Sequence, residues 1–83
     1  MKLKLEGIIA TRHQAIDLAE QHAGVTEVDF SAAQVAGGST MHQLLVSFPT
    51  AKFTGLAGHN EELFEMAIEF ARLMEERRND TGY

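Results

Sequence analysis

Residues 55–78 read GLAGHNEELFEMAIEFARLMEERR, and this is the one stretch long and regular enough to bury a large surface. Asn60 stands where a side chain can accept a bond from the free backbone N–H groups of a helix start, and Glu61 and Glu62 follow where the helix dipole favours negative charge. The pattern predicts a helix from about Glu61, closed by the cations Arg77 and Arg78 at the negative pole. At ~100° per residue, Glu62, Glu65, Glu69, Arg72 and Glu76 share one polar arc about 100° wide. The apolar residues from Leu63 to Met74 spread over roughly 220°, about twice the stripe that one core contact needs. Such a helix needs two neighbours. Either a sheet and another helix of the same chain cover it, or one flank meets a second copy or a partner protein.

Working back from this helix, the chain predicts a short last strand at Ala51–Gly55, where Ala51, Phe53 and Gly55 alternate with Lys52 and Thr54 after the turn signal Pro49-Thr50. Upstream, Val28, Phe30 and Ala32 are opposed by Glu27, Asp29 and Ser31, and His42, Leu44, Val46 and Phe48 also follow a period of two. With Gly37-Gly38-Ser39 between them, these two runs are expected to form an antiparallel hairpin. Thr11 and Gln14 make a capping-box pair that opens a helix of about Arg12–Ala23, ending at Gly24. Lys2–Ile9 alternates as a half-buried strand. The expected architecture is α+β, in the order β-α-β-β-β-α: an antiparallel meander with two helices packed on one face. The other sheet face would carry Glu27, Asp29, Gln43, Ser47, Lys52 and Thr54 and stay wet.

Composition bounds the rest. The 83 residues are expected to form one domain, with an ordered core of about residues 2–78 and a polar tail at 79–83. Without cysteine there is no disulfide and no thiolate metal site. Lys2 and Lys4 lead into no apolar run long enough for a signal peptide or membrane span, so a cytoplasmic protein is expected. A formal charge of -5 disfavours nucleic acid, whose binding draws on clustered Lys and Arg, and favours a basic protein partner.

No constellation predicts catalysis. His13, His22, His42 and His59 pair with no second ligand at metal-site spacing, and Ser31, Ser39 and Ser47 lack a nucleophile setting, so no metal, cofactor or catalytic residue is expected. Gly55-Leu56-Ala57-Gly58 before a helix start suggests a phosphate loop, but no lysine follows and Glu61 and Glu62 repel an anion. The glycines are read as a sharp strand-to-helix turn.

Phe53-Thr54-Gly55 running into a helix of small and apolar residues resembles the double-stranded-RNA-binding domain, whose helix, three-stranded meander and helix match the expected order from Thr11 to Arg78. That resemblance implies a Lys-Lys-x-Ala-Lys run gripping phosphate at the start of the last helix. The matching residues here are Glu61-Glu62-Leu63-Phe64-Glu65, with acids at all three lysine positions. The function expected is therefore noncatalytic binding of a protein with a basic surface, for instance by a small inhibitor of the kind mobile elements encode, which occupies a basic nucleic-acid groove. The residues assigned to it are Glu61, Glu62, Glu65, Glu69 and Glu76 with Phe64, Ile68 and Leu73 beside them. Homodimerisation through the wide apolar arc is the companion expectation, with a nucleic-acid module, a subunit of a larger assembly or a small ligand-binding domain as rivals.

Overall fold

The computed structural model describes the backbone of residues 1–81 and the side chains of residues 1–76. Three βα units follow one another: β1 (Lys2–Ile9), α1 (Arg12–Gln21), β2 (Glu27–Val35), α2 (Gly38–Ser47), β3 (Lys52–Thr54) and α3 (His59–Thr81). The strands form one sheet in the order β1-β2-β3, and both pairings are parallel. The α+β class holds, but the antiparallel meander does not form.

The error lies at residues 38–48. Leu44 and Phe48 satisfy a period of two and a period of 3.6 alike, and the flanking residues decide between them. In the structure Met41, Leu44 and Phe48 are buried and Leu45 is half-buried, which is helical spacing, while Val46 is 57% exposed. Gly37 then serves as the N-cap of α2 and not as a hairpin turn. A helix between β2 and β3 carries the chain back along the sheet, so β3 enters in the same direction as β2.

The elements predicted at either end are the ones whose local signals are strongest. Gln14 N–H donates to Thr11 Oγ1 at 3.2 Å, and the Gln14 side chain accepts from Thr11 N–H at 2.9 Å, closing the capping box of α1. In β1, Leu5 and Ile9 are buried while Lys2, Lys4 and Glu6 are exposed. The side chains turned inward form one core in which Val28, Phe30, Met41 and Leu44 are almost fully enclosed. α2 packs between α1 and α3. Among the described residues no helix covers the opposite sheet face, where Lys2 reaches Glu27 at 3.4 Å and Asp29 at 3.8 Å. Glu27, Asp29, Lys52 and Thr54 fall in strands as expected, whereas Gln43 and Ser47 belong to α2.

Strand β2 carries an irregularity that the alternation in sequence conceals. Lys4 pairs with Asp29 but Glu6 pairs with Ala32, so β2 holds one extra residue, and its buried positions change from Val28 and Phe30 to Val35. Asp29 Oδ1 accepts from Ser31 N–H at 2.9 Å inside this bulge, and that bond, with the Ser31 side chain, holds the Asp29 carboxyl below its ordinary range. Gly55 closes over the same place with φ 69°: a Cβ there would overlap Asp29 Oδ1 and lie 2.7 Å from Ser31 N. Only glycine allows the chain to leave β3 at this point.

Candidate docking surface

α3 is bound to the sheet through its first turns. Asn60 is inside the helix, one residue past its start, and its side chain reaches across to β2 instead of capping: Nδ2 donates to Ala33 O at 2.8 Å and Oδ1 accepts from Val35 N–H at 2.9 Å. The expectation of an N-cap at Asn60 is thus corrected. Its amide replaces the ladder partners that the end of β2 lacks, and it is buried because those two backbone groups are. Leu63 and Ala67 follow at helical spacing into the core, and Phe64 stacks on Phe53 at 5.5 Å, which in turn meets Phe30 at 5.1 Å.

Beyond Ala67 the helix sends no described residue into the core. Its 23 residues amount to about 34 Å of helix, on a molecule whose longest dimension is 42 Å. Every described residue from Ile68 to Glu76 is exposed. Met66, Ile68, Phe70, Leu73 and Met74 are each between 45 and 62% exposed, a concentration of large apolar side chains unusual for an isolated chain. The helix runs on to Thr81, past the predicted end at Arg78, and of the expected polar tail Gly82 and Tyr83 lie outside the described residues.

The residues assigned from sequence therefore divide. Ile68 and Leu73 stand in solvent, while Phe64 is half-buried in the aromatic row and lends little free surface. Glu61, Glu62, Glu65, Glu69 and Glu76 are all exposed. Glu69 accepts from Arg72 one turn on, which raises the affinity of that guanidinium for its proton; no other carboxylate of the ridge is ion-paired among the described residues. Met66, Phe70 and Met74 complete the apolar surface and were legible in the sequence as members of the wide arc.

On the flank toward α2, α3 borders a groove of about 390 Å³ lined by Arg12, Gly38, Ser39, His42, Met66 and Phe70, with Ala67 at its base. His42 meets Phe70 edge-on at 5.4 Å. The groove is the structural consequence of α2 being a helix, since a strand at residues 38–48 would have left no such wall. Among the described residues no group of three His, Cys, Asp or Glu side chains gathers to hold a metal ion. No described helix is long and apolar enough to cross a membrane.

No family model, curated protein or solved structure matches this chain.

Proposed function

We propose that the protein is a noncatalytic protein–protein interaction module whose docking element is α3. The observation that carries this reading is the free half of that helix: Ile68, Phe70, Leu73 and Met74 remain about half exposed on a segment that its own fold does not cover. Beside them Glu61, Glu62 and Glu65 set up an unpaired negative field among the described residues, which attracts a basic surface at long range and leaves the apolar contact to fix the complex. A basic nucleic-acid-binding surface of another protein is one target with that chemistry.

Affinity capture from the native host, run in parallel on the wild-type chain and on the triple variant Glu61→Lys, Glu62→Lys, Glu65→Lys, tests it. The wild-type chain is expected to retain a basic protein that salt elutes and that the variant fails to retain. Equal recovery on both, with the same salt profile, would sink the reading.

A further inference from the structure

We propose that the apolar flank of α3 is covered by a second copy of this chain, the two α3 helices crossing antiparallel near Phe70 so that the free end of each lies in the groove of the other. This rests on the reading of α3 as a docking element and names the occupant of one of its flanks.

Two features of the fold complement each other. At ~100° per residue, Met66, Phe70, Leu73 and Met74 form one stripe on α3. Its N-terminal part borders the groove beside His42 and Gly38, and in its C-terminal part Leu73 and Met74 stand about half exposed. Each copy thus has a recess at the base of the stripe and an unsupported apolar end beyond it. An antiparallel crossing satisfies both at once and twice, as a two-fold interface must.

Charge selects the direction. From His59 to Glu69 the helix carries Glu61, Glu62, Glu65 and Glu69 and neither lysine nor arginine; from Phe70 to Thr81, Arg72, Arg77 and Arg78 offset Glu75, Glu76 and Asp80. A parallel pair sets Glu62 and Glu69, which flank the stripe, against their own counterparts, whereas an antiparallel pair sets the acidic half against a balanced half and opposes the helix dipoles favourably.

The four side chains of the stripe leave roughly 100 Å² each uncovered, so two copies contribute roughly 800 Å², about two thirds of the ~1,200 Å² at which stable interfaces begin, and the groove walls supply the remainder. Glu61, Glu65 and the 45% exposed Ile68 lie about 140–180° around the helix from Phe70, so the dimer keeps them outward for a basic partner, with Ile68 as the apolar contact left to it.

Sedimentation equilibrium of the full chain, from low to high micromolar, is expected to show a monomer–dimer equilibrium. Leu73→Glu should weaken it by roughly 100-fold while leaving the far-ultraviolet circular dichroism of the monomer unchanged. Direction is read with single cysteines, which are unique in a chain that has none. Mixed under oxidising conditions, Met66→Cys and Met74→Cys copies should form the 66–74 cross-link in preference to either self-link. A monomer at high micromolar concentration overturns the proposal, as does dominant 66–66 and 74–74 linkage, which marks a parallel pair. A dimer unaffected by Leu73→Glu overturns it as well. Equal recovery of the basic protein on the wild-type chain and the triple Lys variant, with the dimer intact, instead removes only the reading of the acid face.

Discussion

The two halves of α3 are alike in apolar content and opposite in circumstance. From His59 to Ala67 the apolar positions Leu63 and Ala67 are buried, Phe64 is held between sheet and solvent, and Asn60 is bonded to two backbone groups of β2. From Ile68 to Glu76 equally apolar residues are all exposed, and Phe70 touches the domain edge-on to His42. Amphipathicity states that a surface is to be covered and does not state by what. In the first half the covering is tertiary structure, and in the second, on the proposed reading, it is left to association, so stability and binding are expected to separate along one helix.

Mutations should expose that separation. The largest effect expected is Leu63→Ala, which opens a cavity under α3 and should cost about 2–5 kcal/mol by denaturant unfolding. A loss below about 1 kcal/mol would show that the first half of α3 is no better anchored than the second. Gly55→Ala should come next, at about 2–3 kcal/mol, since it combines a positive φ with overlap on Asp29 and Ser31 at the turn that aims α3. Asn60→Ala should cost about 2 kcal/mol, because it strips Val35 N–H and Ala33 O of their partner in a buried place. A stability near wild type in that variant would mean that water replaces the amide. Leu73→Ala, in the free half, should change the stability of dilute monomer by no more than about 0.5 kcal/mol and act on self-association instead.

The smallest effect belongs to the open sheet face. Hydrogen bonds from Ser31 lower the Asp29 pKa in the folded chain, so its contribution to stability is complete above the ordinary aspartate pKa and is lost as pH falls through the lowered folded value. A carboxyl carbon titration by NMR should place Asp29 below the ordinary aspartate range, and Ser31→Pro, which removes the donor N–H, should return it toward that range. An Asp29 already in that range would deny the bulge its anchoring bond.

How much of this was legible in advance follows from how local each signal is. The capping box, the lysine–leucine alternation of β1 and the broad apolar arc of α3 each depend on a few adjacent residues, and each is found in the structure. Residues 38–48 carried two periods at once, and both left Leu44 and Phe48 inside. Only the fate of Met41, Leu45 and Val46 distinguishes helix from strand, and reading that segment as a strand changed a parallel sheet into a meander. The acid ridge and the apolar flank were visible in the sequence, as was the requirement for two neighbours. The groove was not, because it joins Arg12 and His42 to Phe70 across two intervening elements.

By itself, then, the sequence determined where most helices and strands begin, that no cysteine chemistry operates, and that the last helix has more apolar surface than one contact hides. Tertiary structure decided the direction of the sheet, the bulge that Gly55 closes over, the use of Asn60 as a clamp on β2, and which half of α3 is left uncovered. The reason is physical: periodicity and capping are set by neighbours a turn or a residue away, whereas covering a surface depends on what the rest of the chain can bring to it through space.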